Sequence, residues 1–278
     1  MVQVGSRGKQ LTFAQIQNMK KVRFLLLTLF CFLLVSCYEV TEDININADG
    51  SGTYVTNMDM GQLLELMQSF AGEEDLAKEG LDRPIDTTIL MSSVLDSAKD
   101  ITPEQKAAMK DGKLAFKMNI KDKLFKLNTS FPYKNLNNLQ LLMSTGKGGA
   151  GLTDVFKNMF GGGKDEAKSK PLDAPVDPGM GDFSDIFDVT VKDGLISKKV
   201  NAAKFKALTS RPEMEQLKQL NSSGMEVLYT TTIHLPRPVK KAENPLIKLS
   251  DDKKTVTMRY NMLQMLDTPE KFSYSIEY

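Results

Sequence analysis

Apolar and polar residues alternate with a period of two through the last third of this chain. Met225, Val227, Tyr229, Thr231, Ile233 and Leu235 fall on one side of an extended segment, with Glu226, Thr230, Thr232 and His234 on the other, until Pro236 and Pro238 end it. Val256, Met258, Tyr260 and Met262 alternate likewise with Thr255, Thr257, Arg259 and Asn261, and Phe272, Tyr274, Ile276 and Tyr278 repeat the pattern. Strands that are apolar on one side only belong to an antiparallel sheet with one wet or lightly covered face.

The same period recurs upstream in hairpin form. Ile44 to Met60 reads as two strands around Asp49-Gly50-Ser51-Gly52. Asn45, Asn47, Asp49 and Gly50 also match the first positions of an EF-hand loop, but such a loop wants Asp first and Glu at position twelve, where this chain has Asn45 and Thr56. The turn is the better reading. Leu114, Phe116, Met118 and Ile120 alternate into Lys121–Lys123, and Phe125, Leu127, Thr129 and Phe131 alternate back. Around Asp193-Gly194, a two-residue turn pairs Val191 with Ile196 and Phe187 with Val200, so apolar meets apolar across the strands.

Helix signals fall between these hairpins. Asp59 and Gln62 form a capping box before a Met60, Leu63, Leu64, Met67, Phe70 stripe, and Asp86 offers a cap for a helix through Leu90, Val94 and Leu95. Thr102-Pro103-Glu104-Gln105 opens another that stops at Gly112, and Leu136, Leu139 and Leu142 mark a short one. Asn201 caps a helix with Phe205 and Leu208, and Ser210-Arg211-Pro212-Glu213 restarts one through Met214, Leu217 and Leu220. The expected fold class is α+β, an antiparallel sheet of β-hairpins with helices packed on its apolar face.

Ahead of this body, Lys20, Lys21 and Arg23 precede an apolar segment from Phe24 to Val35 and then Leu34-Val35-Ser36-Cys37. Twelve apolar residues fall short of the roughly twenty that span a bilayer as a helix, so the segment reads as a processed signal. Leu34-Val35-Ser36-Cys37 resembles the lipobox of bacterial lipoproteins. That resemblance implies recognition by the signal peptidase through Leu34, Val35 and Ser36, acylation of Cys37 by palmitate-type chains, and Cys37 as the first mature residue. Residues 1–18 have no apolar segment of their own and read as an over-extended start or a long n-region, outside the fold. The expected organisation is a signal over 1–36, an α+β half over 37–145, a Gly/Pro-rich linker over 146–181, and a second α+β half over 182–278, the halves free to share one sheet.

Removing 36 residues leaves 242 of the 278, and the five basic residues of the leader take the net charge from +1 to −4. Nucleic acid calls for clustered Lys and Arg, so no nucleic-acid partner is expected. Of the two cysteines, Cys31 leaves with the signal and Cys37 carries lipid, which excludes a disulfide. The sixteen methionines read as core fillers rather than a Cu(I) site at Met58, Met60, Met262 and Met265. Gly146-Lys147-Gly148-Gly149-Ala150-Gly151 has the letters of a dinucleotide-binding turn, but it follows a helix-like run instead of a strand and reads as flexible loop.

His234 is the sole histidine, on the polar side of its strand. With no second His and no free Cys, neither a zinc site nor a Ser-His-Asp arrangement has its usual parts, and no catalytic residue, metal or cofactor is expected. Tyr38–Asp43, with Glu39, Glu42 and Asp43, reads as a polar tether similar to the acidic tract of Bacteroidetes lipoproteins. The order of lipobox, DGSG hairpin and helix, helical middle, and C-terminal strands with a Ser250–Val256 turn resembles uncharacterised Bacteroidetes-type lipoproteins and, more weakly, LppM-like envelope domains. The resemblance implies a non-catalytic lipoprotein at the outer membrane, in contact with the membrane through its lipid and with an envelope protein or glycan partner. The alternatives are an extracytoplasmic carboxylate-dependent hydrolase, which needs two acidic side chains converging in a cleft, and a lipid carrier, which needs a large apolar cavity.

Overall fold

The acid-rich stretch expected as a tether is instead the first half of a strand, β1 (Tyr38–Ile46). In the computed structural model of the chain, residues 38–61, 83–95, 102–144, 185–212, 214, 215, 218 and 226–278 are described. The leader with Leu34 to Cys37, the helix expected after Gly61, the 146–181 linker, and Leu217 and Leu220 lie outside them. The strand forms because Val40, Ile44 and Ile46 alternate into the core, all at most 3% exposed. Glu42 occupies the one inward position between them, and it disguises the period.

β1 turns through Asp49-Gly50 into β2 (Gly52–Asp59), pairing Ile46 with Gly52 and Glu39 with Asp59. Ile85–Leu90 is a strand too, β3, not the helix that Asp86 was expected to cap. Its β-branched run favours an extended chain, and Asp86 faces Lys117 across the pair at 3.0 Å. The helix α1 (Pro103–Met109) starts at a complete capping box, with the Thr102 side chain accepting from the Gln105 N–H and the Gln105 side chain accepting from the Thr102 N–H. The hairpin β4 (Lys113–Asn119) and β5 (Leu124–Tyr133) follows, then helix α2 (Leu136–Ser144).

The hairpin β6 (Phe187–Lys192) and β7 (Leu195–Val200) has the register read from its apolar residues, Val191 opposite Ile196 and Phe187 opposite Val200. Gly194 takes φ +76° at its turn, a conformation that L side chains rarely adopt. Asn201 caps α3 (Ala202–Thr209) by accepting from the Ala203 and Lys204 N–H groups. The remaining strands are β8 (Val227–His234), β9 (Lys241–Glu243), β10 (Lys248–Leu249), β11 (Thr255–Asn261) and β12 (Tyr274–Glu277). Met262 and Phe272, expected as strand residues, instead lie in the short 3-10 turns Met262–Leu266 and Pro269–Phe272, the first capped by Asn261.

Eight strands form one sheet in the order β10-β11-β8-β1-β2-β5-β4-β3, and four form a second, β6-β7-β12-β9. All neighbours are antiparallel except β1 and β8, which run parallel with Val40 opposite Tyr229. The large sheet therefore combines strands from both sides of the 146–181 segment. Its apolar face is covered by α2, which also touches β6, and by the second sheet and the 3-10 turns. Phe272 meets Tyr260 edge to face at 4.7 Å. Ile44, Leu114, Phe116, Ile233 and Val256 are fully buried beneath this cover. Each such side chain contributes about 1.5–3 kcal/mol through burial. The class is α+β, with helices against a sheet that is antiparallel but for one pair.

Gly52 marks a close approach in the core, because a Cβ there would collide with the Asn45 carbonyl and the Tyr133 hydroxyl that donates to it at 2.7 Å. Gly52→Ala is expected to lower stability by about 1–3 kcal/mol through overpacking. The check is the urea midpoint of the unit Cys37–Tyr278, with an unchanged slope.

Candidate functional site

Chemistry-bearing side chains gather on both faces of β1, because successive residues of a strand point to opposite sides. Even-numbered positions face the core and odd-numbered ones the open face.

On the inner face Glu42 is 2% exposed. It sits opposite Thr56 on β2 and Thr231 on β8. The Tyr54 hydroxyl donates to its Oε1 at 2.7 Å and the Thr231 hydroxyl to its Oε2 at 2.9 Å. Tyr260 sits opposite Tyr229 across the β8–β11 pair, and their rings stack at 5.3 Å. Tyr274 reaches in from the second sheet, and its buried hydroxyl has no hydrogen-bond partner among the described residues. Burial first, and then the Glu42 carboxylate, push the hydroxyls of Tyr54, Tyr229, Tyr260 and Tyr274 above the ordinary tyrosine range. A carboxyl group taken out of water is tolerated when strong donors replace its hydration, and hydroxyls supply that here without a Lys or Arg. The network ties three adjacent strands together at their middle.

The outer face is wet and polar. Glu39, Thr41, Asn57, Asp59, Lys117, Lys126 and Asn128 line a shallow depression of about 350 Å³ across β1, β2, β5 and β4. Asn57 donates to the Thr41 hydroxyl at 3.1 Å, and Asn128 donates to the Asn57 side-chain carbonyl, which makes a short amide ladder. Glu39 and Asp59 are directly opposite on neighbouring strands. Opposed side chains on one face lie about 5 Å apart at Cβ. The Asp59 carboxylate is engaged by Lys126 at 3.2 Å and by the Gly61 N–H at 3.2 Å, and both are open to water.

His234 is less isolated than its place in the sequence implied. Its Nε2 lies 3.3 Å from Asp43 Oδ2, and its Nδ1 lies 3.3 Å from the Thr255 hydroxyl. Folding thus assembles a carboxylate, imidazole and hydroxyl row across β1, β8 and β11, which no spacing along the chain displayed. A nucleophilic hydroxyl also needs donors aimed at a developing oxyanion. The backbone N–H groups around this row lie in the sheet plane and are spent in its ladders, and the Thr255 N–H donates to the Ser250 hydroxyl. The row is suited to hydrogen-bonding a polar surface. Among the described residues no three His, Cys, Asp or Glu side chains are grouped to hold a metal, and no helix is long and apolar enough to cross a membrane. Met60, Met262 and Met265 are buried in the core.

Glu42 and its tyrosines are the group that sequence reasoning missed. The available signal was the Val40, Glu42, Ile44, Ile46 alternation, which an acid at the second place interrupts. The sequence-predicted lipidation residues Leu34, Val35, Ser36 and Cys37 lie outside the described residues, one peptide bond before β1.

The fold and its two polar clusters define an α+β domain with a two-faced sheet. No protein-family model and no curated protein matches the chain. Among solved structures it is similar to the NMR structure of the folded domain of the Mycobacterium tuberculosis protein LppM, at 7% identity over 87% of this chain and 90% of that one, with a TM-score of 0.30.

Glu42→Ala strands the Tyr54 and Thr231 hydroxyls and is expected to cost about 2–4 kcal/mol, with Glu42→Gln milder because its amide keeps one acceptor. Urea unfolding of the two variants checks the order. Tyrosines raised in the folded state ionise first in the unfolded chain, so their contribution is intact below the ordinary value of 10.0 and is lost as pH rises past it. Tyrosinate absorbance in an alkaline titration should therefore appear together with loss of the folded circular-dichroism signal, rather than before it.

Proposed function

We propose that this chain is a lipid-anchored lipoprotein of the bacterial cell envelope, held at the outer membrane through acyl groups on Cys37, whose domain binds or scaffolds a polar partner without catalysis. The observation that carries the reading is how the first described strand follows the lipobox-like residues in the sequence. β1 starts at Tyr38, directly after the lipobox-like Leu34-Val35-Ser36-Cys37. A cut before Cys37 spares a central strand that is paired on both sides, whereas a cut a few residues later would shorten it. Each buried methylene contributes about 0.8 kcal/mol, so two or three acyl chains on one residue hold the domain durably at a bilayer.

The wet face supports the binding role. Its Thr, Asn, Asp, Lys and His side chains form a broad hydrogen-bonding surface around the Thr41, Asn57 and Asn128 ladder, with charges of both signs. Such a surface fits an envelope protein or a glycan rather than a lipid tail. Metabolic labelling with an alkyne fatty acid tests the anchor. Wild type is expected to carry the label in the membrane fraction with Cys37 as its N-terminus, and Cys37→Ala to lose the label. Label that persists in Cys37→Ala, or a mature N-terminus elsewhere, overturns the reading.

A further inference from the structure

We infer that the polar partner of the wet face is an extended, uncharged polysaccharide strand, laid across the sheet in a trough that runs from Arg259 on β11 to Thr88 on β3. This deepens the binding role proposed above and rests on it. The juxtaposition behind it is a single register row that joins seven strands.

Register builds the row one pair at a time. Arg259 lies opposite Thr230, Thr230 opposite Thr41, Thr41 opposite Asn57, Asn57 opposite Asn128, Asn128 opposite Ala115 and Ala115 opposite Thr88. Opposed residues share a face, so all seven side chains stand on the open side. Asn57, Thr88 and Arg259 are exposed. From Thr230 to Thr88 every side chain is short, whereas the row beside it carries Glu39, Asp59, Lys126, Lys117 and Asp86. A floor of short side chains along a wall of long ones makes a trough, and the depression of about 350 Å³ lies over its Thr41, Asn57, Asn128 and Ala115 section. At about 4.8 Å per strand the short residues cover roughly 24 Å, the reach of an oligosaccharide rather than of a single sugar.

The floor offers paired donors and acceptors. Asn57 donates to the Thr41 hydroxyl at 3.1 Å and Asn128 donates to the Asn57 carbonyl, which uses one N–H of each amide. The second N–H of each, the Thr41 O–H and the Asn128 carbonyl lie outside the ladder, a set that matches vicinal sugar hydroxyls, each both donor and acceptor. Charge argues against a polyanion. Three acids (Glu39, Asp59, Asp86) accompany three cations (Arg259, Lys126, Lys117), and two pairs are closed, Asp59 with Lys126 at 3.2 Å and Asp86 with Lys117 at 3.0 Å. Without net charge the trough has no field to draw a polyanion. A protein partner calls for a large apolar or aromatic anchor, and the exposed large hydrophobics among the described residues, Leu90 and Leu249, lie on the outermost strands. Sheet twist turns each strand pair by about 20–25°, which a saccharide chain follows by rotation about its glycosidic bonds.

Titration calorimetry on the full chain in detergent compares cellohexaose and chitohexaose, which are extended and uncharged, with polygalacturonate, which is anionic. One or both hexaoses are expected to bind, the matching trimer several-fold more weakly because it fills half the row, and added salt to leave the affinity unchanged. Asn57→Ala removes a rung of the ladder and Ala115→Arg fills the floor, and each should weaken binding by about tenfold, the worth of one hydrogen bond. Lys248→Ala, on β10 beyond the row, should bind as wild type does, and urea midpoints show which variants are folded. Failure of both hexaoses to bind overturns the proposal, as does binding of polygalacturonate alone or hexaose binding that both trough variants leave intact. A photo-crosslinking residue at position 57 in intact cells separates this proposal from the reading it rests on. Capture of an envelope protein without hexaose binding overturns the glycan and leaves the polar-partner reading standing, whereas neither crosslink nor hexaose binding overturns the two together. Cleavage of the bound hexaose supports the trough and overturns the non-catalytic reading.

Discussion

The structure depends on the pairing of β1 with β2 on one side and β8 on the other. β2, β5, β4 and β3 reach the sheet only through the first contact, and β8, β11 and β10 only through the second. The parallel β1–β8 ladder joins residues almost two hundred positions apart, so its closure entropy is offset by everything that packs afterwards. A central strand is paired along both edges and covered on one face, which is why a residue as costly to bury as Glu42 is held there.

Glu42 and its hydroxyl donors give that junction a chemical identity. Apolar strands of similar volume can slide by two residues and still bury their faces. A carboxyl group that must meet Tyr54 from β2 and Thr231 from β8 is satisfied in one register. The second sheet contributes Tyr274 to the same cluster, and the 3-10 turn before it sets Phe272 against Tyr260, which couples the cover to the junction beneath it. On the opposite side of the same strand, Asp43 and Glu39 face water, so β1 separates a network that specifies the fold from a surface free to bind.

Much of the architecture was legible where local chemistry decides it. The Asp193-Gly194 turn and its apolar cross-pairs set the register of β6 and β7, Thr102 and Gln105 started α1, and Asn201 capped α3, because turns and caps are satisfied within a few residues. Two of the misreadings came from acids. Asp86 looked like a cap but forms a cross-strand pair with Lys117, and Glu42 made a strand look like a tether. In each case a partner distant in sequence changed what the side chain does. The candidate site was less legible still, because Asp43, His234 and Thr255, or Glu39 and Asp59, become neighbours only across strands.

The sequence by itself determined a two-faced sheet of hairpins, the helix starts and the wet side of each C-terminal strand, since a period of two and a capping box are properties of adjacent residues. The lipobox-like tetrapeptide before Tyr38 is local in the same sense. Tertiary structure alone decided that the N-terminal hairpin inserts beside β8, that this pair runs parallel, and that an acidic segment becomes the middle of the sheet. Strand order and direction are set by which faces bury together and which distant donors satisfy Glu42, and those are sums over the whole chain that no short window contains.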